Sequence, residues 1–443
     1  MSMSLIKEST TGAGTAEIFK PICPQKKTSP HNKRSITLLC KVVDNFGDIG
    51  VVYRLANTLS ESSEFSLRLV VSDLSSFSKI APKIDAQKDF QTLNGYQIFR
   101  WTADTLCLQE FQKNPPDIII ECFQCGRPEW LEHLLFDVKF PHITHIIMLD
   151  YLTAENYAED FHLLPSITRS ARVKKVNFMP GFTKKTGGLI LDTIFYKHAK
   201  IQYDGWGSLP PSRSPSVCSI PPSSGRLCLP QRPPVLFFSY EKNLLPAVRA
   251  LKNYNLSCAN GNLSVLLANG AGFASFKNAY TKEKYESGKE PFSLTELPFL
   301  PQEEWDCILY HSQILFIRGE DSLSRACLSG TPFVWNAYPQ SDDYQLVKVN
   351  ALLEKLHPFF DENLFVIIKK CWNLYNETDF SLSQSASLEN EKNVEEAITD
   401  FLFNCEKMQD GFKNFSKSLV KNGDLTHNLM TFILKNTTIV EKS

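Results

Sequence analysis

The feature that most constrains this chain is a series of short runs, apolar on both faces, that alternate with stretches of helical period. A strand that hides both faces needs cover on each side, and a parallel sheet between two helical layers supplies it. Residues 36–43 (ITLLCKVV) open the series, and Asp44-Asn45-Phe46-Gly47-Asp48 reads as a turn. Residues 49–59 then carry apolar positions near helical spacing. Further runs fall at 67–71, 117–123 and 143–152, with a helical pattern at 128–136. A second set begins at 235–240 and continues at 263–268, 314–317 and 332–335. The expectation is an α/β protein with two sheet units.

Residues 208–234 separate the two sets and hold eight prolines and seven serines, the composition of a linker. The expected organisation is a solvated tail at 1–35, a first domain at 36–207, the linker at 208–234, a second domain at 235–405 and a helical segment at 406–443. A length of 443 residues suits two or three such domains. Forty-seven Lys and Arg stand against 48 Asp and Glu, which removes the composition-level argument for a nucleic-acid partner. No apolar run approaches the ~18 to 20 residues of a membrane helix, so no membrane partner is expected. The twelve cysteines are scattered through a long chain and read as reduced cytoplasmic thiols, not as a secreted disulfide scaffold. The first 35 residues place six Lys and Arg among Ser, Thr and Pro without an apolar signal segment.

Open α/β sheets bind ligands beyond the carboxyl ends of their strands, so polar residues directly after strands come first. Asp44 ends the first strand and Asp48 falls where the next helix begins, with Gly47 and Gly50 permitting a tight turn. Either Asp48 caps the helix and Asp44 makes an Asx turn, or two carboxylates face a cleft and one acts as general base. Residues 316–322 (FIRGEDS) run from a strand into a helix. Arg318 and the helix start suit a diphosphate, while Glu320 and Asp321 suit sugar hydroxyls or a cationic group. The plainer alternative is a capped helix with a solvent salt bridge. The loop 178–188 (FMPGFTKKTGG) is either a surface connection or a shaped loop beside a ligand. Gly270-Ala271-Gly272 imitates a dinucleotide fingerprint but lacks its third glycine. Cys122-Phe-Gln-Cys125 has no second pair, and the histidines form no HxH or HExxH cluster, so no metal is called for.

Taken together, Asp44-Asn-Phe-Gly-Asp48-Ile-Gly50, PGFTKKTGG from Pro180, RGEDS from Arg318 and PFVWNAYPQ from Pro332 resemble one family. It is the family of protein-arginine rhamnosyltransferases that modify bacterial elongation factor P, and the resemblance runs from Ile36 to the C-terminal helix. It implies a GT-B fold: two Rossmann-like domains face each other, the second holds a nucleotide-sugar, and the last helix packs back on the first. It also implies dTDP-β-L-rhamnose as donor, no further cofactor, no obligatory metal, an arginine of elongation factor P as acceptor, and inversion at the anomeric carbon. Carried over by motif, the catalytic positions are Asp44, Asp48 and Glu320. The nucleotide-sugar positions are Phe238, Tyr240, Gln302, Arg318, Asp321, Ser322 and Tyr338. Asp150 and Asp192 stand where the family has glutamate. Phe238 and Tyr240 are two apart at a strand end, so they can share a face and offer thymine an aromatic platform. Two other readings remain at this stage: a GT-B enzyme for another nucleotide-sugar or acceptor, and a non-catalytic module that binds a translation factor. Paired carboxylates at Asp44 and Glu320 favour a cationic acceptor over a neutral hydroxyl.

Overall fold

The computed structural model describes residues 33–43, 46–204, 233–257, 263–377 and 384–436. Most of the expected tail and linker, and Asp44 itself, lie outside the described residues. The first domain runs β1 (Arg34–Cys40), α1 (Gly47–Ser60), β2 (Phe65–Val71), α2 (Leu74–Ile80), β3 (Phe90–Leu93), β4 (Tyr96–Arg100) and α3 (Asp104–Lys113). It continues with β5 (Ile118–Cys122), α4 (Glu129–Phe136), β6 (Thr144–Leu149), α5 (Tyr157–Phe161), β7 (Pro165–Ser166), β8 (Val173–Phe178) and α6 (Thr193–Asp204). The second domain runs β9 (Val235–Phe237), α7 (Leu245–Ser257), β10 (Ser264–Leu267), α8 (Phe273–Ser287), β11 (Ser293–Glu296), α9 (Gln302–His311) and β12 (Ile314–Arg318). Then follow α10 (Glu320–Ser329), β13 (Phe333–Asn336), α11 (Tyr344–Leu356), α12 (Glu362–Asn376), α13 (Gln384–Asn422) and α14 (Leu425–Asn436).

The first sheet has strand order β3-β4-β2-β1-β5-β6-β8-β7 and the second β11-β10-β9-β12-β13. Pairing is parallel except where β3 meets β4 and β7 meets β8 at the edges. Central strands read apolar because both faces are covered: β5 (IIIEC) and β12 (ILFIR) are buried at every position. Strand order reverses beside β1 in the first sheet and beside β9 in the second, and such switch points open crevices at the strands' carboxyl ends. The segments after β1, β9 and β12 therefore share one cleft.

The helical segment expected at 406–443 divides at a different place. Phe412, Phe415 and Leu419 of α13 still belong to the core of the second domain. Leu425, Leu429 and Ile433 of α14 belong to the core of the first. The break is at Gly423, whose φ of +104° turns the chain between helices. Seven described cysteines are free thiols. Among the described residues no helix is long and apolar enough to cross a membrane.

Candidate functional site

Two cavities meet inside the cleft. The larger, about 760 Å³ of empty volume including its open mouth, is lined from the first domain by Phe46, Gly47, Gly50 and Ile80. Its second-domain wall includes Phe238, Asn269, Phe299, Gln302, Trp305, Arg318, Glu320, Asp321 and Ser322. The smaller, about 410 Å³, is lined by Val51, Phe123, Asp150, Leu152, Pro180, Gly188, Ile190, Ser324 and Leu425, among others. Glu320 and Asp321 line both. Mostly apolar walls with a few convergent polar groups are the usual makeup of a small-molecule site.

The floor of the larger cavity follows from strand register. Phe237 pairs with Phe316, and the Phe238 amide donates to the Phe316 carbonyl at 2.8 Å, so the end of β9 lies beside the end of β12. Arg318 thereby places its guanidinium over the Phe238 ring at 4.4 Å and the Tyr240 ring at 4.6 Å. The cation lies within cation–π range of both rings. Ser239 and the Tyr240 amide both donate to the Asn336 side-chain oxygen, at 2.8 and 3.0 Å, and Tyr375 donates to Ser239 at 3.0 Å, which pins the strand end from behind. Trp305 meets Phe238 edge to face at 5.0 Å. Gly270 and Gly272 are small because a Cβ would approach Phe238 and the Ser239 and Tyr240 carbonyls at 2.7 to 2.8 Å. The GAG segment is thus a close-packing device against the site wall.

Gly319, with φ +73°, turns β12 into α10, and Glu320, Asp321 and Ser322 form the helix's first turn. Their backbone N–H groups have no carbonyl partner within the helix and suit an anion at that spot. Gln302 donates to the Gly50 carbonyl at 2.8 Å and lies 3.4 Å from Asp321, so it bridges the two domains at the cavity wall. Tyr338 is 59% exposed and sits edge-on to Tyr240 at 5.3 Å. Tyr240 and Tyr338 therefore stand behind and outside the cavity lining, while Phe238, Gln302, Arg318, Glu320, Asp321 and Ser322 are in it.

Asp48 is buried. One oxygen accepts the Val43 amide at 2.7 Å and the other accepts the Tyr151 hydroxyl at 3.2 Å, which ties the start of α1 to Val43 and to the segment after β6. Neither cavity includes it. The loop 178–188 contributes Pro180 and Gly188 to the smaller cavity. Opposite it, Phe123 and Gln124 hold positive φ angles of 58° and 53°, Gln124 donates to Asp150 at 3.0 Å, and Phe123 stacks on Tyr151 at 4.7 Å. Non-glycine residues held there by their surroundings often mark a ligand site. Nothing in residue type announced Phe46, Phe123, Phe299 or Trp305 as site residues, since an aromatic ring carries no reactive or charged group of its own. The Cys122 and Cys125 thiols are pushed up by burial, Cys125 to about 12, and so lack thiolate reactivity.

Residues 36–434 match the profile of the family described as "Elongation-Factor P (EF-P) rhamnosyltransferase EarP". The chain belongs to that family. A protein-arginine rhamnosyltransferase of Shewanella oneidensis is 31% identical over 357 residues, covering 78% of this chain and 85% of that protein. One from Neisseria meningitidis serogroup B is 28% identical, covering 73% and 79%. A solved structure described as "Structural basis for EarP-mediated arginine glycosylation of translation elongation factor EF-P" covers 91% of this chain and all of its own, with a TM-score of 0.51 at 18% identity. At that identity it speaks for the fold alone, which is GT-B. The family makes the chain an enzyme, a glycosyltransferase of the protein-arginine rhamnosyltransferase type.

Proposed function

We propose that the enzyme moves L-rhamnose from dTDP-β-L-rhamnose to an arginine side chain of elongation factor P, with inversion at the anomeric carbon and without an obligatory metal. The observation that carries this reading is the junction of two cavities at Glu320 and Asp321. The larger cavity offers what a nucleoside diphosphate-sugar needs: aromatic faces for a base at Phe238 and Trp305, and a stacked guanidinium and a helix start for the diphosphate. Arg318 and the first turn of α10 neutralise the leaving diphosphate, the task a cation performs in other enzymes. The smaller cavity suits an arginine: apolar walls for the methylene stem and carboxylates at its end, Asp150 among them.

A guanidinium has a pKa above about 12 and delocalised lone pairs, so no carboxylate strips it before attack. Orientation carries that burden instead. Glu320 polarises one edge of the acceptor and fixes a nitrogen toward the sugar, and Asp44 takes the proton late, as the N–C bond forms and the C–O bond to the diphosphate breaks. Asp48, bonded to Val43 and Tyr151, holds the start of α1 in place beside the larger cavity. Intact-mass spectrometry of elongation factor P, after incubation with the enzyme, dTDP-β-L-rhamnose and a chelator, tests the whole reading. The expected result is a gain of one deoxyhexose on an arginine. No gain, with the nucleotide-sugar still bound, would move the acceptor assignment to another molecule.

A further inference from the structure

Arg54 lies midway along α1, four residues after Gly50 and so on the helix face that meets the second domain. It is 2% exposed and surrounded by three carboxylates from three different segments. Its Nε and Nη2 donate to the two oxygens of Asp321 at 3.1 and 3.0 Å. Its Nη1 and Nη2 donate to the two oxygens of Asp306, in α9, at 2.6 and 3.1 Å. Nη1 also donates to Asp192, before α6, at 2.5 Å. All five N–H donors of a guanidinium are thereby used, two on each of two carboxylates and one on a third. A lysine, with three donors on one nitrogen, cannot reproduce that fork.

Arg325 lies 3.6 Å from Asp192, so two guanidinia face three carboxylates and one negative charge is in excess. Asp306 is fully buried and Asp192 nearly so, whereas the Asp321 side chain keeps 14% exposure and borders both cavities. Burial would raise Asp192, but Arg54 and Arg325 pull it down to about 2. Burial lifts Asp306 even against the pull of Arg54, because it has no opening to water. The member of the cluster with access to a ligand is Asp321. Left unheld, its carboxylate would stand beside the diphosphate as a like charge, and beside the acceptor as a competitor to Glu320.

We infer that Arg54 is a positioning residue of the donor site: it holds Asp321 by a bidentate pair from the opposite domain, offsets part of its charge toward the diphosphate, and fixes the cleft width at which the nucleotide binds. The inference rests on the larger cavity being the donor site. Asp306 and Asp192 are its anchors, since they orient the guanidinium without lining either cavity.

Two variants test it. Arg54→Lys keeps the charge and removes the fork. Arg54→Met with Asp306→Leu removes the deepest ion pair as a unit, a replacement by apolar groups that buried pairs commonly tolerate, and leaves Asp321 unheld. Calorimetric titration with dTDP and steady-state kinetics are run on both, with thermal midpoints measured in parallel. The expected result is a dTDP Kd and a donor KM raised about tenfold or more. A lowered thermal midpoint with unchanged dTDP affinity in the double variant would make Arg54 a structural strut and overturn the inference. Failure of the wild-type enzyme to bind dTDP would remove the donor-site reading, and this inference with it.

Discussion

At the scale of single residues, function here depends on environment more than on residue type. Two of the expected carboxylates, Glu320 and Asp321, are adjacent in sequence yet differ in circumstance: Asp321 is tied to Arg54 at 3.0 Å, and both border the two cavities. Asp48, also a carboxylate, accepts the Val43 amide and the Tyr151 hydroxyl. The CxxC pair shows the same dependence. Burial raises both thiols, Cys122 well above its ordinary value and Cys125 to about 12. Neither should alkylate in the native protein at pH 8 over the time in which an exposed thiol reacts fully, as peptide-mapped iodoacetamide labelling would show. Rapid native labelling of Cys125 would return a redox or metal role to that pair. Sequence pointed to Asp44, Asp48, Glu320, Asp321 and Arg318 because they follow expected strands, and to Gln302 through the family resemblance alone. It did not point to Arg54, a single charge among apolar neighbours in VVYRLANTL, because its partners come from positions 192, 306 and 321.

At the scale of elements, the crossing of α14 back to the first domain depends on two glycines. Gly188 has φ +85°, and a Cβ on it would lie 2.5 Å from the Gly423 carbonyl oxygen, in the turn between α13 and α14. The Asn428 side chain donates to the Gly187 carbonyl at 3.0 Å, and the Leu191 amide donates to Asp424 at 2.9 Å, which fastens the same junction. Gly188→Ala should therefore combine backbone strain with a backbone clash and cost about 3 kcal/mol. Gly95 has a similar φ of +86° with nothing near its would-be Cβ, so Gly95→Ala should cost only about 1 kcal/mol. Urea unfolding of the two variants measures the difference. Equal costs would mean that the crossing is loose. The glycine-rich stretch at 178–188 was visible in the sequence as a shaped loop, and Pro180 and Gly188 do border a cavity. That it also seats the last helix was not visible, since its partner residues lie some 235 positions away.

At the scale of the whole molecule, the domains are joined at several places besides Arg54. Tyr344 donates to Glu155 at 3.1 Å, Lys355 to Asn156 at 2.9 Å, Gln302 to the Gly50 carbonyl at 2.8 Å, and Phe46 packs on Phe299 at 4.4 Å. With α14 buried in the first core and α13 in the second, neither domain can unfold without stripping apolar surface from the other. Scanning calorimetry should show one cooperative transition with matching calorimetric and van't Hoff enthalpies. Two resolved transitions would mean the α14 crossing contributes little.

The sequence by itself determined the class of fold, the two sheet units and most of the motif-bearing turns, because these follow from local pattern: runs apolar on both faces, helical periodicity, and polar residues at strand ends. It also carried the family, through four motifs in order. Only the tertiary structure decided which of those polar residues face a cavity, that Asp48 bonds Val43 and Tyr151, that Tyr240 and Tyr338 stand outside the lining, and that Arg54 clasps three carboxylates. The physical reason is range. Hydrophobic periodicity acts over a few residues and is written in each segment, whereas burial, ion pairing and cavity shape arise where segments far apart in the chain are packed together.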